Sequence, residues 1–410
     1  MAEGALCSRV SVSVVRWMGP IYDRRVQRRE FLRDGGRAAL AFGALLFSGC
    51  SSRAPNAPKD VFLESLVALW EAAIPQWLRE TKMPAVSIAI VRDGQLAWQR
   101  AFGVKDTGTN DPVDTDTVFA ACSNTKPVFA YAVLKLCENG VLNLDTPLTK
   151  YTKRRITTDR RIELVTARHV LNHTTGFPNW RQGTELPIEF DPGSKFQYSG
   201  EGFSYLQSVV AELTGQSFEA FMRENVLLPL GMTSSRISWD LDYAKRMAKP
   251  HDEDGRRIPG KFYTVPSAAE WTAGVALYGA AAGLLTTPTD YARFLLAFLD
   301  PPPADTFRLT DASRHAMLRP QVKKADNMWE GQAWALERHD GGPMIFTHAG
   351  QDAGWYCLSA ASMERRSGMM VMLNGDSYVP FLTKMLTAPS HETPPLERIW
   401  PDFAKRFFAA

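Results

Sequence analysis

The sequence predicts an α+β fold, a mixed α/β architecture with one antiparallel sheet built from N- and C-terminal strands. Helices flank that sheet, and a mostly helical lobe is inserted between its two groups of strands. Three observations carry this. Strand-like apolar runs fall early, at residues 85–91 and 95–102, and late, at 344–348, 355–361 and 369–373. Between the two groups the apolar spacing is helical. The 410 residues are 45% hydrophobic and 22% charged, an ordinary globular composition, long enough for one large two-lobed domain or two smaller ones.

The first stretch to account for is a leader. Gln27-Arg28-Arg29-Glu30-Phe31-Leu32-Arg33 precedes a modest apolar run, 38–47, and then Ser48-Gly49-Cys50. The run is about half the length that a membrane-spanning helix needs, and the order basic, apolar, small is that of an export signal over 1–49. The Arg-Arg-x-Phe-Leu stretch resembles a twin-arginine signal. Ser-Gly-Cys resembles a bacterial lipobox, with Phe47 where leucine is more usual, which makes Cys50 the expected lipidated first residue of a periplasmic, membrane-anchored lipoprotein. The alternative is plain cleavage and release. The position of the arginines also leaves Met18 beside Met1 as a translation start. Residues 50–60, with Pro55 and Pro58, read as a tether. The net charge of +3 hides this leader: residues 1–49 hold eight Arg and four acidic side chains, leaving 39 basic and 40 acidic residues beyond it. No basic surplus remains to suggest nucleic acid.

Leu63, Leu66, Val67, Trp70, Ile74 and Trp77 follow at helical spacing, with Pro75 expected to kink or split the helix. Arg92-Asp93-Gly94 supplies a tight hairpin turn between the first two strands. Residues 117–121 read as extended and buried. From Pro127 to Cys137 the chain is almost wholly apolar and helical, with Gly140 as its stop. A short helix is expected over 166–172. Another contains Phe203, Leu206, Val209, Val210 and Leu213 and stops at Gly215. Thr287-Pro288-Thr289-Asp290 reads as an N-cap with proline at the first helical position, leading the stripe Tyr291, Phe294, Leu295, Phe298 and Leu299. A C-terminal helix is expected over 396–408.

Ser123 and Lys126 stand at the start of the apolar helix. Pro127 is tolerated only in a first turn, which puts Ser123 at the helix N-terminus and Lys126 on the same face. A hydroxyl there sits at the positive end of the helix dipole, beside a cation that burial neutralises. This builds a nucleophile without histidine. Alone the pair is weak, since a chain of this length holds about one Ser-x-x-Lys by chance.

Further stretches in order make the case. They are Ser123-Asn124-Thr125-Lys126, the runs 140–145 and 169–176, Pro192-Gly193, Tyr198-Ser199-Gly200, the runs 213–218 and 229–232, and His348-Ala349-Gly350. With these, residues 75–375 resemble the penicillin-recognising serine hydrolases: class C β-lactamases, D-Ala-D-Ala peptidases and family VIII-type esterases. The resemblance implies a β-lactamase/transpeptidase-like fold over 61–400, with an α/β lobe from 61–119 and 330–410 and a helical lobe over about 120–329. It implies acyl transfer through an acyl-Ser123 ester, activated by Lys126 and Tyr198, with either as the general base. It places His348 and Gly350 beside the substrate, and the backbone amides of Ser123 and Gln351 in the oxyanion hole. Gly200 stands where relatives use an asparagine to hold an acylamide, and His348 where they use lysine. Both departures favour a small ester, amide or peptide over penicillin or D-Ala-D-Ala. A β-lactamase, a D-Ala-D-Ala carboxypeptidase and a non-catalytic scaffold remain as rivals.

The residues independently demand such an arrangement. Serine needs a base within about 3 Å, and a lysine or tyrosine near pKa 10 must be lowered by about 3 pH units to serve at neutrality, roughly 4 kcal/mol. Other candidates have plainer readings. His173 is read as holding its turn by hydrogen bonds, Glu201 as charging the first turn of a helix, and Asp352 as a turn residue. Trp180 and Trp355 stand equally as acyl-pocket lining or core. Cys122, Cys137 and Cys357 read as small buried thiols. No cofactor or metal is expected, because neither Cys-x-x-Cys nor His-Glu-x-x-His occurs.

For the leader, Cys50→Ser is expected to move the protein from the membrane to the soluble fraction on cell fractionation. An unchanged distribution would instead support release without an anchor.

Overall fold

Chain segments far apart in sequence meet in one sheet. A computed structural model describes residues 61–238, 240–259, 279–301, 308–338 and 342–387. Its strands are β1 (Ala85–Arg92), β2 (Gln95–Asp106), β3 (Asp111–Pro112), β4 (Phe119–Ala120), β5 (Leu285–Thr286) and β6 (Val322–Ala325), followed by β7 (Met328–Glu330), β8 (Ala335–Glu337), β9 (Ile345–Asp352), β10 (Trp355–Ser362) and β11 (Ser367–Leu373). The principal helices are α1 (Val61–Thr81), α2 (Thr125–Glu138), α3 (Ala167–Leu171), α4 (Gly200–Thr214), α5 (Gly279–Ala282), α6 (Pro288–Leu299) and α7 (Tyr378–Thr387).

The main sheet runs β3-β2-β1-β11-β10-β9-β8-β7-β6, and β4 pairs with β5 separately. All the paired strands of the main sheet are antiparallel, and β1 lies on β11 with Ile88 opposite Val371. The α+β class is therefore as the sequence predicts. The β1–β2 hairpin turns through Asp93 (φ 52°) and Gly94 (φ 77°), the two left-handed residues that a tight hairpin requires. The sheet reaches further back along the chain than residue 330, because β6 joins its edge. The strands β6–β8 are too short to show an alternating pattern in sequence.

Side-chain alternation divides the core. Val86, Ile88, Ile90, Leu358, Val371 and Leu373 face outward, under Trp70 and Ile74 of α1 and Phe381 and Met385 of α7. Ala85, Ala89, Val91, Cys357, Met370 and Met372 face the other way, into the core shared with α2 and α6. Pro75 lies inside α1 without splitting it. The helix expected over 396–408 lies outside the described residues, and α7 is the helix that covers the outer face beside α1, with Tyr378 stacked on Tyr356 at 4.3 Å.

The helix that carries Lys126 is central. Val128, Phe129, Ala130, Tyr131, Ala132 and Val133 of α2 are fully buried, as expected of a helix apolar all round. Thr166 caps α3, Ser199 caps α4 and Thr287 caps α6. Gly215 ends α4 at φ 66°.

Trp70 is 1% exposed between α1 and the sheet. Trp70→Ala is expected to cost about 3–5 kcal/mol in denaturant-induced unfolding. A loss near zero would show that α1 does not share the sheet's core.

Candidate active site

Strand β4 delivers the chain to a single 3-10 turn, Cys122–Asn124, which leads directly into α2. Cys122 adopts φ 48°, a left-handed conformation that costs a non-glycine residue about 1–3 kcal/mol. It bends the chain sharply and leaves Ser123 7% exposed. The turn is tied down on every side. Ala121 N donates to Leu284 O at 2.8 Å, and Thr125 Oγ1 donates to Cys122 O at 2.6 Å. Asn124 Oδ1 accepts from Ser359 Oγ at 2.6 Å, and Tyr291 donates to Asn124 O at 3.1 Å. Sequence reasoning missed Asn124, Thr125 and Tyr291 as positioning residues. The available signal was a pair of polar residues opening an apolar run, where burial demands partners.

Lys126 is 1% exposed. Its Nζ donates to Ser123 Oγ at 3.3 Å and to Ala281 O of α5 at 2.7 Å. Burial pulls its pKa down to about 7. The Nζ also lies 4.7 Å from the centre of the Tyr198 ring and 5.4 Å from that of Phe203. The Tyr198 hydroxyl is buried and, among the described residues, makes no hydrogen bond of ordinary geometry, with Ser123 as the group that it faces. Burial holds its pKa above the usual phenol value, and the opposing pull comes from Ser123. At neutral pH Tyr198 is thus a protonated phenol facing Ser123, while Lys126 has a substantial proton-free form.

Two histidines complete the neighbourhood, neither as a cation. His173, itself at φ 58°, stacks on Tyr198 with ring centres 4.3 Å apart. Its Nδ1 accepts from Ser199 N at 3.1 Å. Holding its own turn is therefore only part of what it does: it also backs the tyrosine ring. Burial drives its pKa well below the ordinary value. His348 on β9 donates from Nδ1 to Ala333 O at 2.9 Å, and its ring centre is 6.3 Å from that of Tyr198. Burial first, then Lys126, pushes its pKa down to about 3. It is a neutral imidazole across the physiological range.

Strand β9 approaches the nucleophile turn closely. A Cβ on Gly350 would lie 2.9 Å from Ser123 N and 2.8 Å from Cys357 Sγ, so only glycine fits there. Strand β9 pairs with β8 only over Ile345–Thr347, and beyond that point it lies against the Cys122–Asn124 turn. Gln351 follows Gly350 on the strand, half-buried. Cys122 and Cys357 are free buried thiols behind Ser123, and Cys137 is half-buried. Cys357 donates to Ala121 O at 2.7 Å.

The remaining candidates separate. Trp355 is core, 3% exposed and edge-on to Phe119 at 6.2 Å. Trp180 is half-buried and lies against Gly200. Asp352 accepts from Ala353 N at 2.7 Å, as a turn residue does. Glu201 does stand in the first turn of α4, but its carboxylate is not a solvated helix charge. It is buried against Arg181 at 3.2 Å, with both side chains 2% exposed. Cys50 lies outside the described residues.

Comparison with known proteins identifies the family and the fold. The Beta-lactamase family model matches residues 67–388. Esterase EstB of Burkholderia gladioli is 33% identical over 199 residues, covering 41% of this chain and half the esterase's length. Penicillin-binding protein 4 of Amycolatopsis lactamdurans is 28% identical over 345 residues, 78% of this chain and 88% of that protein. The fold is similar to that of D-alanine carboxypeptidase AmpC from Burkholderia cenocepacia, with a TM-score of 0.65 at 19% identity, covering 80% of this chain and all of that one.

A base with a pKa of about 7 predicts the pH profile. The proton-free amine is populated above that value, so kcat/KM for a nitrophenyl ester is expected to fall as pH drops through about 7. Lys126→Met should lower kcat by about 10²–10⁴. His348→Gln should leave the acid limb in place, because the imidazole, with its pKa of about 3, is neutral on both sides of it. A limb that moves with His348→Gln would refute Lys126 as the titrating group.

Proposed function

Because the chain belongs to the Beta-lactamase family of serine hydrolases, we propose that it cleaves a small ester or amide through an acyl-Ser123 intermediate. The observation that carries this reading is the buried Lys126 amine, 3.3 Å from Ser123 Oγ, with a pKa lowered to about 7. In acylation the amine takes the Ser123 proton as Oγ attacks the substrate carbonyl carbon. The amides of Ser123 and Gln351 receive the oxyanion, each contributing about 3 kcal/mol. The buried Tyr198 phenol, which faces Ser123, donates its proton to the leaving oxygen or nitrogen as the carbonyl reforms and that bond breaks. The Lys126 ammonium then restores the phenol. A water attacks the acyl carbon next and gives its proton to the amine; as the acyl–oxygen bond breaks, the Lys126 ammonium returns that proton to Ser123 Oγ, and the acid is released.

The same cluster supports an uncharged substrate. With His348 neutral, the third motif offers no ammonium to a substrate carboxylate. Gly200 offers no side chain to an acylamide. The similarity to an esterase points the same way. The longer match to a penicillin-binding protein keeps a peptide or lactam as the second reading. The Arg28-Arg29 leader and Cys50 support export and lipid anchoring at a bacterial membrane.

A fluorophosphonate probe is expected to label the wild type and not Ser123→Ala; equal labelling of both would sink the nucleophile assignment. A nitrophenyl ester should be turned over far faster than a chromogenic cephalosporin. The reverse order would favour the β-lactamase or carboxypeptidase reading, and no turnover on any ester, peptide or lactam would favour a scaffold.

A further inference from the structure

Gly200 is the first residue of α4, two residues beyond Tyr198. Between them Ser199 is extended, with φ −140° and ψ 117°. Residues on either side of one extended residue project to the same side of the chain, spaced about 6–7 Å apart. Whatever stands over Gly200 therefore shares the side on which Tyr198 faces Ser123. It is not a side chain of residue 200. A Cβ there would lie 2.6 Å from both Cζ2 and Cη2 of Trp180, and 3.1 Å from Asn179 O. The indole occupies the volume that any larger residue at 200 would need.

The loop that carries the indole is locked to α4. Gly200 N donates to Asn179 Oδ1 at 2.9 Å, and Glu201 N donates to Asn179 O at 3.1 Å. Ser199 Oγ donates to Pro178 O at 2.8 Å. Arg181 donates from its backbone N and from Nε to Glu201 Oε1, at 3.1 Å and 3.3 Å, within the buried ion pair. Residues 171–178 are buried, yet Trp180 keeps part of its surface exposed. The indole is partly exposed, packs against the main core on one side, and stands next to this buried ion pair.

We propose that Trp180, seated on Gly200, is the apolar wall of the acyl-binding side of the site and restricts the substrate's acyl group to a short apolar chain. This rests on the acyl-Ser123 reading. An indole face rewards an apolar acyl group and sets a limit on its length that a smaller residue would lift.

The test is kcat/KM over a nitrophenyl ester series from acetate to octanoate, with the full chain and its melting temperature as a folding control. The wild type should favour the short esters. Trp180→Ala should raise the octanoate-to-acetate ratio at least tenfold, Trp180→Leu by less, and Trp180→Phe should stay near wild type. Gly200→Ala, which presses on the indole, should lower turnover of every ester, and the loss should be relieved when Trp180→Ala is added. If Trp180→Ala fails to fold, the Leu and Phe variants carry the same ordering. An unchanged chain-length profile in folded Trp180 variants that still turn over esters would overturn this proposal and leave the acyl-Ser123 reading standing. A wild type with neither ester turnover nor probe labelling would overturn that reading itself.

Discussion

The whole site depends on keeping one lysine dry. Moving the Lys126 pKa from 10.5 to about 7 corresponds to about 5 kcal/mol of differential interaction against the ammonium. That penalty persists only while bulk water is kept from Nζ, and the fold is built accordingly. Helix α2 runs through the core with apolar residues all round, and α5 lends the carbonyl of Ala281 to Nζ. The rings of Tyr198 and Phe203 cover the remaining approaches. The left-handed turn at Cys122, itself a strained element, is held by hydrogen bonds from β10, α6 and the chain preceding β5.

A site organised around desolvation is nearly uncharged throughout. Tyr198 stays a phenol and His173 and His348 stay neutral imidazoles for the same reason as Lys126: burial disfavours whichever form carries charge. Two ion pairs flank the site: Arg181 with Glu201, buried between α4 and the loop that presents Trp180, and Lys324 with Glu330 at 2.9 Å on the side of β6 and β7. On the proposed reading these neutral groups suit a substrate whose reacting group is neutral, with Gly350 and the Trp180–Gly200 contact as its flanking walls.

Much of this was legible in the sequence because it is local. Strands β1, β2, β10 and β11 announce themselves by apolar runs between turns, and Ser123 with Lys126 by a three-residue spacing on one helix face. Other parts were not. The strands β6 to β8 span three or four residues each, below the length at which alternation is visible. Helix α7 was hidden behind Asn374-Gly375-Asp376 and by Pro380, although proline is tolerated in a first turn. The functions of His173 and Glu201 rest on Tyr198, Ser199 and Arg181, which lie up to 26 residues away, so no local pattern displays them.

By itself the sequence determined the chemistry available: a serine and a lysine one turn apart at a helix start, a tyrosine and a glycine-bearing strand to meet them, and the absence of an ordinary cation at His348. Only the tertiary structure decided which form each group takes. Protonation follows from burial and from partners drawn out of β9, α4 and α5, and burial is a property of the packed core rather than of any stretch of chain. The same holds for Gly200. In sequence it is a missing side chain, and in the fold it is the seat of an indole brought in by a loop twenty residues upstream.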